Sequence, residues 1–433
     1  MTSAHLIGRP QQAFAVSPEV KWIAAALVVA AITFNAVLCL INTHVTPVNN
    51  SYVIGSEALI ITIALLTCYS IADPEYTTTI PICITSVIAY TILLSFLRSF
   101  LSYGEGMDLK VVRDFSIPVI FFLLGKSLND IKTADTIVYA TTGIVVLFAL
   151  FEYYFLDDYL NVFGVTEYYV ARGTLDASDP SLQWAGGLMM SGIRPPEQGR
   201  ELLPFLGDHR VSSLFLEPIG LGNFGCLVAL WGIVRSRMER RLRFWSVAAG
   251  ITLIILSDTR FNAWFLGVGV LILLVSPRVT TPTVLAMPFL LIVGLYLGSA
   301  NVEVHDSLLG PEGLSMKDRL LYSGRVLLDF DLYNWLGIET SRAETLDAGY
   351  AYVISSLGLL GFTAFWFWLV SLRGHNRYFR AFRNASAAYF AALLTVSASQ
   401  FTIKTAALLW FLMGTLFVAQ SRETIMCNPR IYL

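Results

Sequence analysis

The sequence predicts an all-α, polytopic integral membrane protein of about twelve transmembrane helices, with two large loops on one side. Three observations carry this. The chain has 433 residues, of which 55% are hydrophobic. Only 14% are charged, against about 25% in a soluble domain. The mean hydropathy is +0.64. A span takes roughly 20 mostly apolar residues, and runs of that kind recur along the chain. A soluble enzyme of this size could not bury so much apolar surface, and a disordered chain would be far more polar. The formal net charge of −2 excludes a strongly basic nucleic-acid binder.

Taken in order, apolar runs place helices at 22–42, 53–71, 80–98, 114–128 and 136–156, then at 211–234, 244–257, 261–275, 283–300, 349–371, 385–402 and 404–419. The first is followed by the polar stretch THVTPVNNSY without a small-x-small cleavage pattern, so it reads as a retained span rather than a signal peptide. The second carries Glu57, and the fourth contains Pro118. The sixth opens with HRVSSLFLEP, which sets Glu217 about two turns into the membrane. An ionisable group there faces a cavity or a partner. Glu57 and Glu217 read as the only deep acids. Only Asp258-Thr259-Arg260 separates the seventh and eighth runs, as in a tight hairpin. Between the ninth and tenth, Met316–Leu336 places Leu320, Leu321, Leu327, Leu328 and Trp335 at helical spacing, the pattern of an amphipathic helix lying on the membrane surface. The chain is a single membrane domain, 1–433, with large loops at 157–210 and 301–348. It shows no internal repeat and no inverted pair of glycine-broken helices of the transporter kind.

Orientation follows the basic residues. RSRMERRLR (235–243) and RGHNRYFRAFR (373–383) fall on one side with both termini, which is therefore cytoplasmic. That side carries about +9 and the other about −10. The near-neutral total conceals a strong asymmetry, and both large loops fall on the outer, acidic side. The cysteines Cys39, Cys68, Cys83 and Cys226 sit inside apolar runs and Cys427 in the polar tail, with no C-x-x-C or zinc-ligand spacing.

Cofactor motifs are absent. There is no Walker loop and no dinucleotide fingerprint, and no two histidines are spaced to share a metal. Asp329-Phe330-Asp331 has a D-x-D form able to hold a metal, but the wet face of the surface helix accounts for it more simply. Neither metal nor cofactor is expected. What stands out is arginine at outer helix ends: Arg210, Arg260, Arg319 and Arg325. A single interfacial arginine commonly snorkels or pairs with lipid phosphate. Four on one otherwise acidic face, two of them beside Asp258 and Asp318, favour a shared anionic ligand, because guanidinium grips phosphate bidentately. Asp347 before the tenth span reads either as a helix cap or as a general base. Glu217 reads either as half of an ion pair or as that base. The loop aromatics Tyr159, Phe163, Tyr168, Tyr169 and Trp184 accompany Arg172, Arg194 and Arg200, and such rings suit either sugar stacking or an interface belt.

Three segments carry a family resemblance. One is R-x-S-x-x-F-x-E-P at Arg210, Ser212, Phe215, Glu217 and Pro218. A second is S-x-x-R at Ser257 and Arg260. The third runs from Arg319 through Leu336-Gly337 to Asp347, Gly349, Tyr350 and the Gly358/Gly361 pair. In this order they resemble the bacterial O-antigen ligase and Wzy-type polysaccharide polymerase superfamily, over about residues 200–370. The resemblance implies a metal-independent glycosyltransferase of the bacterial inner membrane, with 157–210 and 301–348 as periplasmic loops. Its donor and acceptor would be undecaprenyl-pyrophosphate-linked oligosaccharides, and flippase and chain-length co-polymerase proteins would be its companions. Arg210 and Arg260 match the pyrophosphate-binding positions best, with Arg319 and Arg325 as competing candidates for a further one. Ligases of the superfamily carry a His before the helix matching the tenth span. This chain has Asp347-Ala348-Gly349-Tyr350 there, which favours a polymerase over a ligase and leaves the base between Asp347 and Glu217. The reading from another class is a transporter or lipid flippase without chemistry.

Overall fold

A computed structural model describes residues 17–71, 79–101, 109–178, 182, 186–189, 192–193, 199–200, 202–239, 243–300, 316–339, 348–374 and 376–419. The described chain is helical and contains no strand, only the isolated bridge between Ile193 and His209. Its helices are α1 (Pro18–His44), α2 (Asn50–Ile71), α3 (Thr79–Phe100), α4 (Leu109–Leu128), α5 (Ile131–Tyr154), α6 (Leu156–Phe163), α7 (Val165–Ala171) and α8 (Pro218–Glu239). They continue with α9 (Phe244–Leu256), α10 (Arg260–Leu274), α11 (Pro277–Ser299), α12 (Met316–Leu328), α13 (Leu332–Leu336), α14 (Gly349–Ser371), α15 (Arg377–Leu393) and α16 (Ile403–Val418). Six of them, α1, α2, α5, α8, α11 and α14, are long and apolar enough to cross a membrane.

Local chemistry sets many of these boundaries. Pro18 opens α1, with Glu19 in its first turn and His44 in its last, as the helix dipole prefers. Asp130 caps α5 by accepting from the backbone N–H of Lys132 and Thr133. Asn376 caps α15 by accepting from Phe379 N at 2.7 Å. The most intimate helix pair is α4 with α16. A Cβ on Gly125 would lie 2.0 Å from the Phe411 carbonyl, and one on Gly414 would lie 2.0 Å from that of Phe122. Small residues allow such backbone approach where lipid provides no hydrophobic drive between helices.

The long helices alternate in direction, so their ends collect at two poles. At one pole His44 bonds to Val162 O and His209 to Glu152. Arg200 reaches the end of α9, and Ser299 bonds to Leu321 O beside α12. The described parts of both large loops therefore lie at the same pole. At the other pole Lys21 pairs with Asp130, Arg235 and Arg243 pair with Asp135 and Glu239, and Tyr378 bonds to Arg237 O.

Four expectations need correction. The run 211–234 is not helical from its start. Ser213 and Leu216 have φ of 51° and 58°, Ser213–Phe215 is a single 3₁₀ turn, and α8 begins only at Pro218. Glu217 thus precedes the helix instead of lying two turns inside it. The buried Glu152 carboxylate accepts the N–H groups of Ser212 and Ser213, and so satisfies this irregular backbone. The run 385–402 is instead α15, which starts in the basic segment at Arg377 and stops at Leu393. The surface helix is two helices, α12 and α13, broken at 329–331. There Asp331 forms a capping box with Asn334, and Asp329 faces Arg325 at 3.8 Å. Finally, besides Glu57, the described residues bury the carboxylates Asp114, Asp135, Glu152 and Asp258.

The tenth run also holds a break. Gly358, with φ 69° and ψ 162°, divides α14 into 349–357 and 359–371. Gly337, with φ 74°, packs directly on it, and a Cβ there would lie 2.3 Å from Gly358 N. The opened carbonyls are satisfied by α3. Arg98 donates to Ser356 O at 3.0 Å, Ser355 O at 3.3 Å and Gly337 O at 2.8 Å, and the Tyr90 hydroxyl donates to Leu357 O. One glycine-broken helix is therefore present where an unbroken span was expected.

Candidate functional site

The pole that gathers the described parts of both loops also gathers charge. Glu217 sits at the start of α8 with Oε2 2.9 Å from Lys404 Nζ, on the first turn of α16. The Tyr169 hydroxyl donates to Glu217 Oε1 at 2.8 Å. Burial and the neighbouring Glu217 push the Tyr169 hydroxyl well above its ordinary value, so it stays a donor. Arg172, just past α7, lies over the rings of Tyr168 and Tyr169, at 5.2 and 5.5 Å from their centroids. Burial pushes Tyr168 up to about 12, against the pull of Arg172, and its hydroxyl donates to Asn35 Oδ1 at 2.9 Å. The Arg172 Nε is buried without a hydrogen-bond partner among the described residues, and Arg172 acts electrostatically on both Glu57 and Glu217. From Glu57 the belt continues across α4 to α14. Arg113 bridges Glu57 and Asp114, Tyr352 donates to Asp114, and Lys110 Nζ stands 5.2 Å from the centre of the Tyr352 ring.

At the same pole, the Ser257–Arg260 hairpin carries one of the arginines singled out in the sequence and accepts a hydrogen bond from another. Arg210, 7% exposed, donates from Nε to Ser257 O at 3.2 Å. Three residues on, Arg260 is exposed and opens α10. Thr259 precedes it but does not cap the helix, because its hydroxyl bonds to Ser257 Oγ at 2.9 Å. The first turn of this 15-residue helix thus has no side-chain cap. Asp258, fully buried, turns inward at φ 48° and accepts from Leu202 N at 2.7 Å. Arg200 is a helix-end donor, with N–H bonds to His209 O at 2.8 Å and Leu256 O at 3.1 Å.

The structure does not unite all the candidates. Arg319 and Arg325 lie on α12, where Arg325 is exposed and faces Asp329 at 3.8 Å. Asp347 lies outside the described residues. Glu217 is paired, but with Lys404 and not with an arginine. Nothing in the sequence reading singled out Lys404 or Arg113. Each is an ionisable residue in the first turns of an otherwise apolar helix, the pattern that marks a functional or paired group in a membrane. Among the described residues no group of three or more His, Cys, Asp or Glu could hold a metal.

Compared with known protein families, with characterised proteins and with solved structures, the chain matches none.

Proposed function

We propose that the protein polymerises undecaprenyl-pyrophosphate-linked oligosaccharide repeat units at the periplasmic face of the bacterial inner membrane. In this reading twelve helices span the bilayer, both termini are cytoplasmic, and 157–210 and 301–348 are periplasmic. The observation that carries it is the contact of Arg210 with the hairpin whose Arg260 opens α10 without a side-chain cap. Guanidinium groups and uncapped helix N–H groups together suit a pyrophosphate, and fixed donors of this kind stabilise the charge of the leaving group without a metal. Arg172, at the same pole and with its Nε lacking a partner among the described residues, would add a third cation. The growing glycan breaks its bond to the lipid pyrophosphate as the anomeric carbon is taken by a hydroxyl of the incoming unit. The hydroxyl proton passes to a carboxylate. Glu217, held by an ammonium and a phenol, is a poorer base than a free carboxylate, which leaves Asp347 as the stronger candidate.

The Gly358 break favours comparison with transporters, whose broken helices expose carbonyls to bind ions. Here Arg98 and Tyr90 occupy those carbonyls, which weighs against an ion site. The test is elongation by variants: Arg210→Ala and Arg260→Ala should each accumulate in the membrane yet lose glycan elongation by on the order of a hundredfold or more. Wild-type chain lengths in both would assign those arginines to lipid anchoring.

A further inference from the structure

We propose that the pole opposite the candidate site carries a second anion site, a cleft of about 440 Å³ that takes a phosphate-bearing group. Four arginines line it, Arg237, Arg278, Arg377 and Arg380, together with Ser276 and Tyr378, and no carboxylate does. They converge from three segments: the end of α8, the turn into α11, and the first turn of α15. The segments are tied together. Arg237 donates to the Leu273 carbonyl, and the Tyr378 hydroxyl donates to Arg237 O at 3.1 Å. The Arg377 guanidinium lies 5.0 Å over the Tyr378 ring.

Basic residues at a cytoplasmic face need no ligand when they are exposed singly or paired. The neighbouring arginines at this pole follow that pattern, since Arg235 and Arg243 are neutralised by Asp135 and Glu239. Arg237, Arg278 and Arg380 have no carboxylate partner among the described residues. Moreover, Arg278 and Arg377 occupy the first turns of α11 and α15, neither of which carries an acidic residue there. Cations at helix N-termini oppose the dipole, so the cleft concentrates positive potential from side chains and backbone alike. A multiply charged phosphate relieves that repulsion and suits the guanidinium fork. Such a phosphate comes from an anionic lipid headgroup or from a soluble ligand.

The experiment uses the full chain purified in neutral detergent. One arm counts phosphatidylglycerol molecules retained on the intact protein by mass spectrometry. The other follows the melting temperature during titration with inorganic pyrophosphate. Wild type and Arg373→Gln, an exposed arginine at the same pole outside the cleft, should bind alike. Arg278→Gln/Arg380→Gln should lose on the order of tenfold in affinity or more, and Arg278→Lys/Arg380→Lys should keep part of it. Loss confined to the lipid arm identifies a headgroup site, and loss confined to the pyrophosphate arm a soluble ligand. Equal binding by wild type and the glutamine variant in both arms, or no binding by wild type in either, overturns the proposal.

Discussion

Glu217 and Lys404 illustrate how a membrane fold handles charges where two helices begin. The Lys404 side chain is 9% exposed and that of Glu217 31%, so the pair is partly screened. Removing one partner strands the other, whereas removing both leaves two neutral groups. Lys404→Met should therefore lower stability by about 1–3 kcal/mol, and adding Glu217→Gln should recover part of the loss. Thermal unfolding of the four proteins in detergent checks this, and additive losses would argue that the ion pair contributes nothing. At the opposite pole, burial raises Asp130 but is outweighed by Lys21, the Thr133 hydroxyl and two backbone N–H groups, which together hold it below 3.8. A depressed carboxylate contributes stability that is complete above the unfolded value and is lost as pH falls through the folded one. Melting of wild type should thus decline more steeply below pH 3.8 than that of Asp130→Asn, which keeps the cap but not the charge. For so exposed a pair the difference stays under about 1 kcal/mol.

The broken helix α14 makes a stronger demand on its surroundings. Opening a helix within a bilayer strands carbonyls that water cannot reach, and here Arg98, 2% exposed, and Tyr90 supply the donors. Arg98→Gln should cost about 3 kcal/mol or more, since several buried carbonyls lose a charged donor at once. Gly337→Ala should cost about 2–4 kcal/mol through its positive φ and its contact with Gly358. Both should also open the α13–α14 contact to proteolysis, and an unchanged digestion pattern would separate that contact from the break. The sequence shows why such features are hard to read. Hydropathy located the apolar runs, because burial in lipid depends on composition alone. The break at Gly358 and the 3₁₀ turn at 213–215 lie within apolar stretches and are created by partners far along the chain, Arg98 and Glu152. Likewise Arg210 and Arg260 are visible as interfacial arginines, but the contact of Arg210 with the hairpin of Arg260 depends on how the 199–217 segment folds over α9. Lys404 escaped notice because a lysine at the end of an apolar run looks like one that snorkels.

Across the whole molecule the two poles differ in chemistry. One gathers the described parts of both large loops, the Glu217–Lys404 pair and the Ser257–Arg260 hairpin with Arg210, and the other gathers neutralised arginine clusters and the cleft of four arginines. In the orientation proposed, reporter fusions near 180 and 330 should be active only outside and those near 238 and 378 only inside, and the reverse would overturn the functional reading. In that orientation the outer side would be acidic in sum, so general attraction to anions would not explain its arginines. A phosphate site built from particular residues is the simpler account, and it demands chemistry from the protein alone. The direct measurement is therefore to give the purified chain only undecaprenyl-pyrophosphate-linked repeat units and resolve the products by length. A ladder of longer glycans, lost in Arg210→Ala and Arg260→Ala, is the predicted result. Glycans of unchanged length from a folded wild-type protein would contradict it.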